Sequence, residues 1–166
     1  MNGKGVTSAT PKQMKEAGLG YTPENRKEAG LVQVLSTHDN LCLASLAHIA
    51  PSGIVTRTRE QSYVRRRISD LAIKVPEPML PVSSLSGGNQ QKVVIGNWLN
   101  TAPQVMFFDE PSRGVDVQAK RQIFDIIWDQ AERGPCGNVR FDRAGRSAGS
   151  CRPHFGDASG AHRRRG

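Results

Sequence analysis

Leu85-Ser86-Gly87-Gly88-Asn89-Gln90-Gln91-Lys92, followed one helix length later by Val105-Met106-Phe107-Phe108-Asp109-Glu110-Pro111, decides how this chain folds. The first stretch is rich in Gly and opens a helical pattern. The second is an apolar run that ends in two carboxylates, as a buried strand would. Adjacent glycines let a backbone approach a ligand closely. A helix beginning there aims its free N–H groups, and the positive end of its dipole, back at the loop, which suits a phosphate. A carboxylate at the carboxyl end of a parallel strand sits where open α/β sheets bind ligands. Asp109 in that place can hold Mg²⁺, and Glu110 can polarise a water.

Working outward, Asp116 is placed to cap a helix reaching about Arg133, with Ile123, Phe124, Ile127, Trp128 and Ala131 as its apolar stripe. Gly134-Pro135 stops it. The helix opened by the Gly-rich loop runs from Asn89 to Leu99, pairing Val94 with Trp98 and Ile95 with Leu99. Trp98 reads as core. Upstream, Pro76, Pro78 and Pro81 make a stiff connector. A helix over about Arg59–Ile73 puts Val64, Ile68, Leu71 and Ala72 on one face, with Arg65-Arg66-Arg67 mostly on the other. Another runs from Ser36 or Thr37 to about Ile49, with Leu41, Leu43, Leu46 and Ile49 as its apolar positions, and Pro51-Ser52-Gly53 breaks it. Near the start, Thr10-Pro11 opens a short helix that Gly18 closes. Leu19–Thr22 is then a strand running into the charged turn Pro23-Glu24-Asn25-Arg26-Lys27. Met1 to Ala9 reads as an edge ribbon or a frayed start.

The chain has 166 residues, enough for one domain with a core, and a net charge of +8. That charge is uneven. From Pro135 to Gly166 there are seven Arg against two Asp, so five of the eight net charges lie outside the patterned part. The basic balance therefore says little about the folded portion. Three adjacent arginines without interleaved aromatics read as a solvated helix face, not as a single-strand binding surface. No apolar run approaches the ~18–20 residues of a membrane span, and no signal peptide is visible. Cys42, Cys136 and Cys151 show no metal or disulfide spacing and read as free thiols.

The order and spacing of the two opening stretches resemble the signature and Walker B motifs of ATP-binding cassette (ABC) proteins. The ending Asn89-Gln90-Gln91-Lys92, with Pro111-Ser112-Arg113-Gly114-Val115-Asp116 after the carboxylates, is similar to the ATPase subunits of bacterial monosaccharide importers of the ribose, xylose and galactose type. Those carry two cassettes in one chain, and this sequence resembles the later part of the second, over about Ala17 to Gly134. The resemblance implies an α/β fold: a partial P-loop NTPase core with an α-helical subdomain. Its parts would be residues 1–134 as a partial cassette, with 36–99 as the helical and signature subdomain and 100–134 as the Walker B part of the core. Residues 135–166 would be a basic, low-complexity tail without structure.

The resemblance also implies roles. Asp109 would hold Mg²⁺ and Glu110 would be the general base for water attack on the γ-phosphate of ATP. Ser86, Gly87, Gly88 and Gln90 would meet the nucleotide of an opposing cassette. Glu24 occupies the Q-loop position, where the family usually has Pro-Glu-Asp-Arg-Lys and this chain has Asn25 in place of Asp. Asp116 matches the D-loop aspartate. Read from its spacing alone, it fits a plain helix cap equally well. The implied partners are a second ATP-binding cassette, membrane permease subunits and, indirectly, a periplasmic sugar-binding protein. The implied place is the cytoplasmic face of the inner membrane, with no nucleic acid.

Two departures stand out. No G-x-x-x-x-G-K-[ST] occurs in the sequence, so the phosphate-cradling Walker A loop is missing from it. After Gly134 the family's apolar strand and Ser-Ser-Glu/Asp-Leu segment are not found, and His154 and His162 lack a matching context. The sequence therefore reads as a truncated cassette, and its tail as the product of a shifted reading frame or a misassembled gene end. The other two frames of the same DNA would reveal this. A non-transport ABC-type ATPase of the repair or chromosome-maintenance kind would carry long heptad coiled coils, which do not appear. A basic nucleic-acid-binding fragment would account for the tail but not for the ordered motifs; steep salt dependence of DNA binding would mark it.

Overall fold

The computed structural model describes residues 10–50, 53–133 and 138–142, with the backbone alone for 131–133 and 138–142. The edge ribbon expected at Met1–Ala9, and Cys136, Cys151, His154 and His162, lie outside the described residues. Thr10 caps α1 (Pro11–Glu16) in a reciprocal capping box with Gln13, and Gly18 turns the chain at φ 82°. Strand β1 (Leu19–Thr22) follows, then a π-type helical turn, Arg26–Gly30. Helices α2 (Thr37–Cys42), α3 (Leu46–Ile49), α4 (Arg57–Asp70) and α5 (Gly87–Leu99) form the helical region. β2 (Val105–Asp109) returns to the sheet, and α6 (Val117–Arg133) leads to β3 (Asn138–Asp142).

The three strands form one parallel sheet in the order β1-β2-β3, so β2 is central and the helical region is the crossover from β1 to β2. β3 corrects the sequence reading, which expected no strand after Gly134. Asn138-Val139-Arg140-Phe141-Asp142 has only two apolar residues, but they alternate, and alternation is enough where the strand pairs along its whole length with β2. The remainder of the tail lies outside the described residues.

The 36–49 segment also differs from expectation. Ser36 caps it, accepting from the Asp39 N–H at 3.0 Å. It then breaks into α2, a 3₁₀ turn at Leu43–Ser45 and α3. The change of phase buries Leu41 and Ile49 completely and leaves Leu43 and Leu46 exposed. α5 packs on α2 on one side and reaches β1 and α6 on the other, so it ties the helical region to the sheet. Gly96 makes the α2 crossing possible, since a Cβ there would stand 2.8 Å from Leu41 Cδ2 and 3.0 Å from Leu71 Cδ1.

One apolar core runs through both regions, including Leu41, Ile49, Leu71, Val94, Ile95, Met106, Ile123 and Ile127, with Trp98 packed at its edge. On β2, Met106 and Phe108 are buried, while Val105 and Phe107 are half-buried. The four-residue apolar run had suggested equal burial on both faces; one face is covered less fully by the described residues. Arg65 and Arg66 are solvated, as read, but Arg67 is not. It donates to Asn100 Oδ1 at 2.8 Å and to the Leu99 carbonyl at 2.9 Å, fastening α4 to the end of α5. Burial pushes its pKa down, and Arg66 adds to this.

Burial also raises the Cys42 thiol from its ordinary 9.0 to about 12, with Glu60 and Asp39 contributing. Because the unfolded thiol ionises first, this contribution to stability is full below pH 9 and declines as pH rises toward 12. In folded protein at pH 8, Cys42 is expected to resist alkylation until denaturant is added. Peptide mass spectrometry reads this directly; labelling in native buffer as fast as in denaturant would contradict it.

Candidate functional site

The site is assembled from the ends of three elements. β2 carries Asp109 and Glu110 to the carboxyl edge of the sheet, both half-buried. Neighbouring β1 supplies Tyr21, whose hydroxyl donates to Asp109 Oδ2 at 3.0 Å. This orients the carboxylate, and the sequence reading had not singled Tyr21 out. The parallel register, which sets Tyr21 beside Phe107, makes the contact possible. The same pairing on the other side sets Asp142 beside Asp109.

Glu110 has φ 42°, in the left-handed region that costs an L-residue about 1–2 kcal/mol. Its carbonyl accepts the Arg113 N–H at 3.0 Å, closing a tight turn at the end of the strand. The turn takes the chain off the strand at once and keeps Glu110 at the sheet edge. Backbone strain held by surrounding structure is common where function requires a fixed side chain.

The Gly-rich loop is built differently from the sequence expectation. Ser86 is exposed, and its Oγ accepts from Asn89 Nδ2 at 3.0 Å. The Asn89 Oδ1 in turn takes the Lys74 N–H at 2.9 Å, binding the Pro-rich connector to the start of α5. The two glycines meet the chain itself. A Cβ on Gly88 would stand 2.7 Å from Ala119 Cβ on α6, and one on Gly87 would stand 2.7 Å from Arg26 Nη2. The sequence expectation of close approach to a ligand thus has an internal cause at both positions. Gln90 is buried and its amide donates to the Leu85 carbonyl at 3.0 Å. This corrects its expected exposure to an opposing nucleotide: the side chain shapes the loop from within. Lys92 is also buried, donating to the Ala72 carbonyl at 3.0 Å, and burial lowers its pKa, with Lys74 adding to this.

Glu24, at the end of the β1 turn, forms an ion pair with Arg113 in the loop after β2. Asn25 Oδ1 accepts the Lys27 N–H at 3.2 Å, so it caps the following turn. Asp116 Oδ1 accepts the Ala119 N–H at 2.8 Å, the cap that its spacing allowed. The atoms nearest a Cβ at Gly87 belong to Arg26 and Gly114.

A divalent cation would take Asp109 as its ligand here, with Glu110 next to it; no cluster of three or more His, Cys, Asp or Glu exists among the described residues. One hard oxygen ligand suits Mg²⁺, which keeps several waters and takes substrate phosphates for the rest. No helix among the described residues is long and apolar enough to cross a membrane.

A parallel sheet carrying adjacent carboxylates on its central strand, joined to a helical region that opens α5 with a Ser-Gly-Gly loop, is the architecture of an ATP-binding cassette. The sequence profile described as "ABC transporter" matches residues 1–113, and the chain belongs to that family. Its curated relatives include the ribose import ATP-binding protein RbsA of Geobacillus kaustophilus, 42% identical over 134 residues, which are 81% of this chain and 27% of that protein. RbsA of Bacillus subtilis is 42% identical over 80% of this chain and 27% of its own length. The arabinose import ATP-binding protein AraG 2 of Burkholderia ambifaria is 39% identical over 81% and 26%. The chain thus spans about a quarter of the length of these relatives. Among solved structures, a dimeric ATP-binding cassette in a post-hydrolysis state bound to ADP and Pi superposes with a TM-score of 0.63 at 15% identity, over 80% of this chain and 56% of that one. The cbiO1 subunit of Clostridium perfringens gives 0.61 at 14% identity, over 80% and 50%.

Proposed function

We propose that this chain is part of the ATP-hydrolysing subunit of a monosaccharide importer, contributing the Walker B and signature sides of a composite nucleotide site. The observation that carries the reading is the carboxyl end of β2, where Tyr21 orients Asp109 and a left-handed Glu110 follows it, in a chain 39–42% identical to ribose and arabinose import ATP-binding proteins. Asp109 would hold Mg²⁺, which when bound would neutralise the charge that develops on the phosphates. Glu110 accepts the proton of the attacking water. Ser86 and the free N–H groups of Gly87 and Gly88 at the start of α5 face the γ-phosphate held by an opposing cassette. Glu24 senses the metal and water once Arg113 releases it, and Asp116 meets the opposing cassette while still capping α6.

The partners on this reading are a second ATP-binding cassette, membrane permease subunits and, through them, a periplasmic sugar-binding protein. The chain would then work at the cytoplasmic face of the inner membrane. The repair or chromosome-maintenance reading gains no support, since the longest helix among the described residues is the 17-residue α6; the nucleic-acid reading rested on the tail, most of which lies outside the described residues. The test is ATP-dependent association with a complete cassette, followed by analytical ultracentrifugation. Ser86→Arg places a bulky cation at an exposed position without touching the core, and is expected to abolish the association. A complex equally stable without ATP, or one indifferent to Ser86→Arg, would refute the composite site.

A further inference from the structure

Three loops of the site converge on one guanidinium. Arg26, nine-tenths buried, reaches from the turn after β1 to the loop after β2. Its Nη1 donates to the Arg113 carbonyl at 2.6 Å and its Nη2 to the Gly114 carbonyl at 3.0 Å, while Nε is buried without a partner among the described residues. The same guanidinium lies against the first residue of α5. A Cβ at Gly87 would fall 2.7 Å from Nη2 and 3.1 Å from the Gly114 carbonyl oxygen. A second tie runs the other way, from Arg113 back to the Glu24 carboxylate.

We propose that Arg26 is a positioning residue that locks the signature loop to the loop carrying Arg113–Asp116, so that both move as one body with the turn bearing Glu24. The planar fork presents two donors to two successive carbonyls in fixed directions; a lysine ammonium is a more compact point charge on a shorter side chain and does not reproduce that geometry. Glycine at position 87 leaves room for the fork, since a Cβ there would enter the space the fork occupies and displace it. The carbonyl of Gly114 is available to the fork because that residue turns at φ 66°, a conformation that favours glycine. Burial of the cation lowers its pKa, so the two carbonyl contacts must offset a desolvation cost, and losing either is felt. The consequence is that a shift of the loop after β2 is transmitted to the start of α5 without an intervening hinge. The lock rests on the chain's own geometry and stands or falls apart from nucleotide chemistry.

Amide hydrogen exchange of the full 166-residue chain, read by mass spectrometry without nucleotide, tests it. Arg26→Met keeps an unbranched stem and removes both donors. It is expected to speed exchange at residues 90–93 and at 113–120 together, by about tenfold or more. Residues 61–70 of α4 should keep their protection. Arg26→Lys should restore part of the protection in both segments. Glu24→Gln cuts only the second tie, and should loosen 113–120 while leaving 90–93 unchanged. Gly87→Ala removes no hydrogen bond, yet by displacing the fork it should loosen the same two segments as Arg26→Met. The proposal is overturned if Arg26→Met frees 113–120 but leaves 90–93 at wild-type rates, or if exchange rises evenly along the chain. Should Arg26→Met fail to fold, Gly87→Ala decides, and unchanged exchange at 113–120 in that variant rejects the lock.

Discussion

The 166-residue chain on its own is expected to release phosphate from ATP at no more than the background rate, and Glu110→Gln is expected to make no difference to that rate. The carboxylate pair is in place, but the sequence contains no Walker A loop to hold the phosphates against it. Removing a single preorganised donor from a site of developing charge costs about 10²–10³ in rate. A Walker A loop supplies several such donors, together with a Lys and a ligand to the metal. The combined shortfall against a complete cassette therefore exceeds about 10³-fold. Phosphate release by purified protein, with a complete cassette measured alongside, gives the comparison. A robust rate abolished by Glu110→Gln would mean that another part of this chain cradles the phosphates.

The largest stability effect is expected at Asn40, a residue that no local pattern singles out. It is completely buried near the start of α2, and its amide holds the preceding loop from inside. Oδ1 accepts the Val32 N–H at 2.9 Å. Nδ2 donates to the carbonyls of Val32 at 3.0 Å, Leu35 at 3.3 Å and Ser36 at 2.9 Å. The same loop is pinned on its other side, where Leu35 accepts the Val82 N–H and Thr37 donates to Leu80. Asn40→Leu keeps the branching and the number of heavy atoms, and strands several buried backbone groups. Each stranded group costs about 1–3 kcal/mol, so a loss of about 3 kcal/mol or more is expected. That is a large fraction of the ~5–15 kcal/mol by which a domain is stable. Urea unfolding of the variant gives the number, with a change at exposed Val34 as a control expected within about 0.5 kcal/mol. A loss below about 1 kcal/mol at Asn40 would show that the loop finds other partners.

The sequence was most informative where local chemistry is self-sufficient. Thr10-Pro11 and Ser36 could be read as helix starts because a cap is made with residues two or three positions away. The same holds for Asp116, whose bond to Ala119 spans three residues. The order of strand, helices and strand was readable from apolar periodicity, and β2 from its four consecutive apolar residues. Asp109 and Glu110 were legible as site residues because their place at a strand end follows from that assignment.

The rest required partners far away in the chain. Tyr21 and Asp109 lie 88 residues apart, and nothing near Tyr21 in the sequence announces a carboxylate. Arg26 looked like one charge in a solvated turn, yet it is buried because the carbonyls of Arg113 and Gly114, 87 and 88 residues on, replace its water. Gln90 looked like a side chain open to a partner, and only the fold of the loop back to Leu85 turns it inward. β3 was hidden for the same reason, since its two alternating apolar residues become a strand only along the edge of β2. By itself, then, the sequence determined the local elements, the family resemblance and the two carboxylates, all set by interactions within a few residues. Only the tertiary structure decided which polar groups leave water, because a buried hydrogen bond forms where two distant segments can satisfy each other, and no single segment carries that information.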